Sequence, residues 1–550
     1  MARWFLQLLC RAIERRKFGL DKEPVNPSPD NVRMADLLGA LSLAADLAVG
    51  LPAEHGVRAC YIGLQIGTEL GLSAEEMADL YYAELLMDAG CTAFTSSLAA
   101  YILGEEISAR RELFFHTDVD NPLAVMSWLA RYMAVGQPLH VRASRTVDFA
   151  FRGKERMREG FRNTCDAAQR LAERVGMSTC VQNALLSVFE QWDGGGMPAG
   201  LRGQAIPLIA RIVYVTSFLE VFHRLGGRDA ALQLARDRRG KSFDPDVVDA
   251  FESESSRPGF WETLDQESAW DTVLALEPES PRRFIPGARI PELASSFADF
   301  ADFKAPHMLG HSRRVAELAG RLGVRLQLPA GNVATIQTAG LLHDFGLVAV
   351  PSFTLAKPKE ALSQAERETF CLHPHYGQRI LSKMPVFEPV AELVVSHHEH
   401  MDGSGFPRGL IGSRIPVGAR VIAIADHFDE LTHASPGHDA LGPAAALRSM
   451  RKDVGGSLWA EAFEALCEDQ HGAPPASRRS RRSDWPCGLT DREVEVLRLL
   501  VRGPTRRQMA DALVISESTV RAHLEHIYAK ANVSSRAAAT LFAVEHDLLG

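Results

Sequence analysis

Residues 397–407, which read HHEHMDGSGFP, are the feature that most constrains how this chain can fold. Val390 and Val394 precede His397 and His398 at helical spacing, so the pattern predicts two imidazoles on the apolar face of a helix. Buried imidazoles without partners are costly, and imidazole is the commonest metal ligand in proteins. A hydrogen-bonded pair of core histidines is the simpler alternative. The glycine-rich DGSGFP cannot continue a helix, which predicts a tight loop.

Other histidines and aspartates also fall on predicted apolar helices. They are His311, the pair His343 and Asp344, His373 at the start of a helix, and Asp426. One such residue would be unremarkable. Five helices that each present a histidine or an aspartate favour a metal site with several ligands in a helical bundle.

The order of these residues, H…HD…HP…HHExxDGSGFP…AD, strongly resembles the HD-GYP domain, a branch of the HD metal-dependent phosphohydrolases, over roughly residues 301–469. The resemblance implies two or three divalent transition metal ions, iron or manganese, and cleavage of cyclic di-GMP. It places metal ligands at His311, His343, Asp344, His373, His397, His398 and Asp426. Members with three ions carry a glutamate one turn before the first histidine, where this chain has His307, which we count as an eighth candidate ligand.

The resemblance makes Asp344, His343 and Glu399 the candidate catalytic residues. A carboxylate such as Asp344 can bridge two cations, and bridged cations generate hydroxide and neutralise phosphoryl oxygens during in-line attack. Several histidine ligands favour iron, manganese or zinc over magnesium.

The chain departs from the family pattern where the substrate phosphate is expected to bind. Leu347 stands at the lysine of the family's HDIGK motif, and Ser435 and His438 stand at two arginine positions. Phe406 replaces the signature tyrosine and loses one hydroxyl. The sequence therefore predicts an intact metal site with fewer phosphate-binding side chains.

The first half of the chain repeats the second half. The segment Leu85–Asp88 matches Leu341–Asp344 at an offset of 256 residues, and Asp193–Pro198 matches Asp402–Pro407 at an offset of 209. The change in offset predicts an insertion in the first copy, between about Cys91 and Thr164.

The first copy lacks most of the ligands. Its equivalent positions carry Met87, Thr164, Val188, Phe189 and Ser217, and only His55 and Asp88 remain. Two ligands are too few for a stable cluster. We interpret residues 33–255 as a pseudo-domain with a structural, dimerising or sensory role. The alternative, that these residues only fill out the fold and have no further role, has equal weight.

The C-terminal residues predict a DNA-binding unit. Thr490 and Glu493 form a capping box, and Ser516 caps a third helix whose Val520 and Ile527 face inward. The run from LTDREVEVLRLL to NVSSR strongly resembles the LuxR-type (GerE-like) helix-turn-helix domain, which pairs through its fourth helix. A helical bundle that binds protein is the alternative. The expected DNA-contacting residues are Ser518, Thr519, Arg521, Ala522 and Glu525.

Length and composition agree with a multidomain globular chain. The 550 residues are 46% hydrophobic and 23% charged, with a net charge of -9 that argues against a protein coating nucleic acid along its whole surface. Eight cysteines without a CxxC pair suggest no disulfide framework and fit the cytoplasm. No apolar run is long enough to span a membrane.

The expected fold is all-α, with tandem HD-type helical bundles followed by a four-helix LuxR-type domain. The predicted domains are an extension (1–32), the degenerate copy (33–255), a linker (256–295), the HD-GYP domain (296–469), a basic linker (470–487) and the LuxR-type domain (488–550).

The favoured function is a DNA-binding transcriptional regulator, expected to be a homodimer, whose HD-GYP domain hydrolyses cyclic di-GMP or a related nucleotide. The alternative is a regulator whose HD-GYP domain only senses a nucleotide or metal, which the substitutions at 347, 435 and 438 favour. A metabolic phosphohydrolase of the wider HD class is a third interpretation. The complete ligand set favours the first interpretation, in which the HD-GYP domain hydrolyses a nucleotide.

Overall fold

A computed structural model describes residues 31–117, 121–279, 283–472, 485–546 and 548–549 of the chain. Within these ranges nearly all regular structure is helical, which confirms the all-α expectation. The only described sheet pairs β1 (Asn31–Arg33) with β2 (Phe284–Pro286) in antiparallel register. Residues 1–30 of the predicted extension and residues 473–484 of the predicted basic linker lie outside the described residues. No described helix is long and apolar enough to cross a membrane.

The described residues form two compact units, each built from several stretches of the chain. The first unit takes its residues from Met1–Gly90, Phe114–His116 and Glu155–Ile290, and the second from Cys91–Leu113, Thr117–Lys154 and Pro291–Gly550. The predicted insertion is therefore divided, because most of residues 91–154 belong to the second unit.

Helices α1 to α12 are Met34–Val49, His55–Glu69, Ala74–Leu86, Thr92–Ile102, Glu106–Arg111, Pro122–Tyr132, Leu139–Arg174, Thr179–Leu185, Leu208–Arg238, Pro245–Ser255, Phe260–Leu264 and Trp270–Ala275. The core of the first unit is centred on α2, where every residue from His55 to Gly67 is buried. Helices α1, α3, α9, α10 and α12 pack around it.

The predicted linker at 256–295 is wrong for most of its length. Helices α11 and α12 lie within it, and Phe260, Trp270 and Val273 are buried in the first unit. Arg58 also donates to the carbonyl oxygen of Gln266 over 2.8 Å. The acidic composition with scattered glycine and proline is typical of a linker with some helix, whereas here tertiary packing makes these short helices part of the first unit.

Helices α13 to α22 are Ile290–Asp302, His311–Arg325, Ala330–Leu342, Ser352–Leu355, Gln364–Cys371, His373–Leu381, Glu388–Val395, Val417–Thr432, Pro443–Met450 and Ala460–Gly472. In the second unit α14 packs on α15, α20 and α22, and α18 packs on α19 and on the turn Phe345–Ala349. Gly346 allows that last contact, because a Cβ there would lie 1.9 Å from the His373 carbonyl oxygen. The close approach brings Asp344 beside the first turn of α18.

Residues of the insertion contribute a buried charge to the second unit. The Glu106 carboxylate accepts from the backbone N–H groups of Ser352, at 2.6 Å, and Phe353, at 3.3 Å. It also lies 3.5 Å from the Lys304 ammonium, and both side chains are almost fully buried. The pair balances two charges that would otherwise be costly to bury.

Helices α23 to α26 are Asp491–Val501, Arg506–Leu513, Glu517–Lys530 and Arg536–Glu545. The predicted capping box is present, because Thr490 Oγ1 accepts from the Glu493 N–H and the Glu493 carboxylate accepts from the Thr490 N–H. Val520 and Ile527 are fully buried in the core that these helices share. The four-helix expectation for this region is confirmed.

Candidate metal centre and DNA-binding module

The candidate ligands lie at helix ends or on helix faces that meet in one place. His311 begins α14 directly after Gly310, whose φ of 76° favours glycine, and His373 begins α18. His343 directly follows α15, and Asp426 is buried on α20. These placements agree with the spacing in the sequence.

The predicted helical position of His397 and His398 is wrong. Helix α19 ends at Val395, and both histidines lie in the turn that follows. The loop after them folds back tightly, because the Phe406 N–H donates to the His398 carbonyl oxygen over 3.1 Å. A Cβ at Gly405 would lie 2.3 Å from the His400 nitrogen, so only glycine fits this return.

The structure brings seven of the eight predicted ligands into two adjacent groups. Within each group the ligand atoms lie within 4.8 Å of one another. One group is Asp344, His373, His397 and His398, and the other is His311, His343 and Asp426. All are buried except His398, which is half-buried.

Asp344 lies between the two groups and gives one oxygen to each. Its Oδ1 lies 3.2 Å from His373 Nε2, and its Oδ2 lies 3.4 Å from His343 Nε2. Burial raises the pKa of this carboxyl, but the surrounding histidines outweigh burial and hold it well below its usual range. This is the arrangement expected of a carboxylate that bridges two cations.

The histidine rings are oriented by backbone carbonyl groups. The Nδ1 atoms of His343, His373 and His397 donate to the carbonyl oxygens of residues three positions earlier, at 2.8, 2.7 and 2.6 Å. Donation from Nδ1 leaves Nε2 of a neutral ring as a lone pair aimed at the centre.

These lone pairs face one another at short range. His311 Nε2 lies 3.2 Å from His343 Nε2, and His373 Nε2 lies 3.4 Å from His397 Nε2. Positive charge between such atoms would relieve their repulsion. The pKa of His343 shows that positive charge is favoured at this place. Burial lowers this pKa, but Asp344 and Asp426 outweigh burial and raise it to about 9. The donor set therefore fits divalent metal ions.

An outer carboxylate supports the first histidine. Asp429 accepts from His311 Nδ1 over 2.7 Å, and the Arg314 guanidinium donates to the same carboxylate over 2.8 and 2.9 Å. Burial raises the pKa of Asp429, but these donors and His433 outweigh it and hold the pKa far below its usual range. A carboxylate on the far nitrogen of a ligating histidine fixes its ring orientation.

The predicted DNA-contacting residues lie on an exposed helix face. Ser518, Thr519, Arg521, Ala522 and Glu525 of α25 are all exposed. The Ser516 side chain caps the helix by accepting from the Thr519 N–H over 3.1 Å. Arg521 is paired with Glu525 over 2.8 Å, an exposed pair that a phosphate can replace at small cost.

The helix-turn-helix core extends onto the metal-binding part of the second unit. Leu309 is buried in the same apolar cluster as Val520 and Ile527, and Phe303 packs against it. Pro306 lies close enough to touch a Cβ placed at Gly503, at 4.0 Å. The segment Phe303–Gly310, which leads directly into His311, is thus the docking surface for this module.

Comparison with known proteins shows two matching families and a relative that matches most of the chain. The family profile described as HD domain matches residues 155–247 and 295–458, and the profile of the bacterial regulatory proteins, luxR family, matches residues 488–543. The 3′3′-cGAMP-specific phosphodiesterase 3 of Vibrio cholerae is 30% identical over 433 residues, which cover 79% of this chain and 94% of the relative. This chain belongs to the HD-domain phosphodiesterases.

Further comparisons support this assignment. A crystal structure of a cyclic GMP-AMP-specific phosphodiesterase of V. cholerae aligns with a TM-score of 0.57 at 28% identity and covers 81% of this chain and 99% of that chain. A cyclic di-GMP phosphodiesterase of Thermotoga maritima is 31% identical over 196 residues, 35% of this chain and 52% of the relative. The protein is a metal-dependent phosphohydrolase that carries a luxR-family DNA-binding module.

The first copy of this HD-domain phosphodiesterase fills the equivalent place with aromatic rings. Phe189, at the position of His398, lies 4.9 Å from Phe161 and 5.8 Å from Phe114 between ring centroids. Phe218 lies 5.2 Å from Phe115. Both ligand groups that occur among the described residues belong to the second unit. Phe114 and Phe115 come from the predicted insertion, whose residues have no counterpart in the second copy.

Glu399 holds a loop in this structure. Its two carboxylate oxygens accept from the backbone N–H groups of Arg408 and Leu410, both at 2.7 Å. The matching Glu190 of the first copy accepts from Ala199 and Leu201 at 2.6 and 2.9 Å. The copy without the ligand set keeps the same bonds, so these contacts support the loop in both copies, and the catalytic role of Glu399 stays a prediction.

His307, the eighth predicted ligand, does not belong to either group among the described residues. It lies in the short 3₁₀ turn Pro306–Met308. Burial, with a smaller contribution from His311 and Lys359, lowers its pKa to about 4. Its role as a ligand stays a prediction.

A pocket of about 610 Å³ opens onto the centre. His397, His398 and Asp426 form part of its wall, together with aromatic side chains and exposed cations. Phe406, at the family's tyrosine position, lies 4.7 Å from the His398 ring. Leu347 is only 2% exposed and lies in an apolar cluster, so it offers nothing to a phosphate.

Proposed function

We propose that this HD-domain phosphodiesterase hydrolyses a 3′,3′-linked cyclic dinucleotide and couples occupancy of its pocket to operator binding. The observation that carries the proposal is the pair of ligand groups with Asp344 between them. The donor set of histidines and aspartates suits two or three iron or manganese ions. Such ions supply hydroxide at neutral pH and neutralise the phosphoryl oxygens.

The roles of the chain's own residues follow from the geometry. The seven ligands would hold the ions, with Asp344 placed between the two groups, and Asp429 fixes the orientation of His311. We keep His343 and Asp344 as the central catalytic pair. Phe406 and Phe370 line the pocket beside the ligands and offer surfaces on which a nucleobase can stack.

The choice of substrate rests on the relatives. The relative that matches both copies of this chain is named as specific for 3′3′-cGAMP, and a relative matching a shorter stretch is named for cyclic di-GMP. We therefore propose 3′3′-cGAMP as the first substrate to test and cyclic di-GMP as the second.

The test is hydrolysis by protein reconstituted with iron or manganese, with Asp344→Asn as the control. Chromatography should detect linear products from at least one cyclic dinucleotide, and the variant should produce none. A metal-loaded parent protein that binds a cyclic dinucleotide tightly but never cleaves it would support the alternative of a sensor. The buried Leu347 and the substitutions Ser435 and His438 are the observations that keep this alternative in view.

We propose that the luxR-family module binds an operator as a dimer through α25. Arg521 can reach a guanine edge or a phosphate once it leaves Glu525. We expect Arg521→Ala to cost about 1–3 kcal/mol of operator binding if Arg521 reads a base. Binding to selected and to scrambled DNA at two salt concentrations separates base reading from phosphate contact.

We propose that the docking surface Phe303–Gly310 transmits the state of the metal centre to the DNA-binding module. The Leu309 carbonyl oxygen accepts from Arg314 over 3.2 Å, Arg314 donates to Asp429, and Asp429 accepts from His311. Coupling between two sites is reciprocal. A cyclic dinucleotide that changes operator affinity should therefore have its own affinity changed by the same factor when operator is added.

Leu309→Ser tests this coupling. We expect the variant to bind the nucleotide and the DNA separately and to lose most of their mutual effect. Full coupling in Leu309→Ser would rule out this route. Cyclic dinucleotides and chromosomal DNA are both cytoplasmic, so we propose the cytoplasm as the location of the protein.

A further inference from the structure

The three positions at which the family pattern carries phosphate-binding cations cannot supply one here. Leu347 is buried with Met308, Val350 and Leu355. Ser435 and His438 face each other across a tight turn, in which each N–H donates to the other's carbonyl oxygen at 3.0 Å. Within the described residues neither side chain forms part of the pocket wall. A dianionic substrate therefore needs positive charge from elsewhere.

The turn at 435–438 packs against the segment that carries Lys359. A Cβ at Gly437 would lie 2.8 Å from Cβ of Pro358, so the backbone of the turn packs closely against the Pro358 ring. Lys359 follows Pro358 at the start of a 3₁₀ turn, and its side chain is 56% exposed. It thus lies beside the place that the missing arginines would occupy.

Lys359 forms part of the wall of the pocket that contains His397, His398 and Asp426. Its ammonium donates to Glu430 over 2.6 Å and lies 5.7 Å from the centre of the Phe370 ring. Desolvation lowers its pKa, but Glu430 and the metal-centre carboxylates Asp426 and Asp344 outweigh it and raise the pKa. The Lys359 ammonium is therefore a positive charge on the wall of the pocket that His397, His398 and Asp426 also line.

A second cation lies beside it. Arg367 of α17 also forms part of the pocket wall, and its guanidinium donates to the Lys359 carbonyl oxygen over 3.2 Å. This bond holds the start of the 3₁₀ turn against α17. Arg367 is exposed, so its remaining donors stay available to the pocket.

We propose that Lys359 is the phosphate-binding cation of this pocket. It exchanges Glu430 for a non-bridging phosphate oxygen of the bound cyclic dinucleotide, and Arg367 fixes the turn that carries it. This inference rests on the proposed function and adds the residue that recognises the phosphate. The exchange costs little, because ion pairs between exposed side chains such as Lys359 and Glu430 contribute little to stability.

Lys357 provides a matched control two residues away. Its ammonium is bound to Glu366 at 2.5 Å and lies over the Phe353 ring at 4.4 Å, and it does not form part of the pocket wall. Lys357→Gln and Lys359→Gln remove the same charge from the same loop. A general electrostatic effect would change both proteins equally, whereas phosphate binding requires Lys359 alone.

The experiment is steady-state hydrolysis of 3′3′-cGAMP and cyclic di-GMP by the metal-loaded full chain. We expect Lys359→Gln to raise KM about 10- to 100-fold, the usual value of a hydrogen bond to a charged group, while Lys357→Gln changes it less than about 2-fold. Lys359→Arg should restore most of the affinity. Glu430→Gln should lower KM, because it removes the competitor for the ammonium.

Each outcome has a distinct meaning. An active parent protein whose two glutamine variants share one KM overturns this inference and leaves the proposed function intact. If Lys359→Gln fails to fold, Lys359→Met and Lys357→Met decide, and an equal KM in these two variants overturns the inference. A metal-loaded parent protein that cleaves neither dinucleotide overturns the proposed function, and this inference falls with it.

Discussion

The two copies of the HD-type bundle keep the same scaffold and fill its centre differently. In the second copy His311 pairs with Asp429 at 2.7 Å and faces Asp426 at 3.2 Å. In the first copy His55 pairs with Glu220, and its other nitrogen lies 3.3 Å from the Ser217 hydroxyl. The outer carboxylate survives where the ligand aspartate is gone. The outer pair of histidine and carboxylate thus occurs in both copies, whereas the ligand groups occur only in the second copy among the described residues.

The glycine contacts show how much of the scaffold is shared. A Cβ at Gly90 would lie 1.9 Å from the Thr164 carbonyl oxygen, the same approach that Gly346 makes to His373. Asp46 and Asp302 also match, because each accepts from a backbone N–H at the start of the next helix. The backbone contacts around the centre are therefore shared, and the copies differ in the side chains at the centre and in the insertion that supplies some of them.

Replacing the linking carboxylate should have the largest effect. Asp344→Asn removes the negative charge shared by the two ligand groups, so we expect cyclic dinucleotide hydrolysis to fall by at least about 1,000-fold, or about 4 kcal/mol. Asp88→Asn, at the matching position of the first copy, should leave the rate within about 2-fold. Equal losses in both variants, measured by turnover of metal-loaded protein, would remove the distinction between the copies.

The aromatic centre of the first copy should contribute to stability alone. Phe218 is 3% exposed and contacts Phe114, Phe115 and Tyr214. We expect Phe218→Ala to lower the free energy of unfolding by about 3–5 kcal/mol through lost burial and a residual cavity. Denaturant unfolding and metal analysis of the same samples check this, with metal content unchanged. Loss of metal from this variant would contradict a purely structural role for the aromatic cluster.

Substitution of the outer carboxylate in each copy should separate support of the metal centre from support of the fold. Asp429→Asn weakens the support of His311 and should lower metal affinity about 10- to 100-fold. Glu220→Gln should leave metal affinity unchanged and destabilise the first unit, because His55 loses its charged partner. Competition with a chelator, followed for both variants, gives the two affinities. Parallel losses would mean that both copies contribute to the centre.

The smallest expected effect is a pH dependence in the first copy. Burial lowers the pKa of His55, but Glu220 and Asp46 outweigh it and raise it to about 9, above the usual value of 6.5. A raised pKa stabilises the folded state below pH 6.5, and this stabilisation is lost as the pH rises through about 9. His55→Gln should therefore lower the urea midpoint more at pH 6 than at pH 9.5. The exposed His140→Gln is the control, and an equal shift at both pH values would contradict this assignment.

Much of the fold was predictable because its signals are local. Capping at Thr490, the apolar stripe of α25 and the helix that begins at His373 are set by neighbouring residues. The ligand set was predictable from its order along the chain, and the structure places seven of its members together. The end of α19 at Val395 was not predictable from the sequence, because the helical spacing of apolar residues continues through His398. The close return of the loop at Gly405 determines the backbone conformation there instead.

The remaining features depend on partners far away in sequence. Glu106 is buried because Lys304 and two backbone N–H groups meet it, and no local pattern marks that contact. Phe114 fills the centre of the first copy from within an insertion. Lys359 lines the pocket of the metal ligands, and the turn at 435–438, far along the chain, packs on the neighbouring Pro358. The local sequence pattern and the spacing of residues do not predict such tertiary contacts.

Metal analysis of the full chain tests the central claim most directly. The parent protein should contain two or three transition metal ions per chain, and His397→Ala combined with His398→Ala should remove most of them. Val188→Ala combined with Phe189→Ala, the matching pair of the first copy, should retain the full metal content. A histidine double variant as rich in metal as the parent protein would contradict the claim that the second copy holds the metal centre.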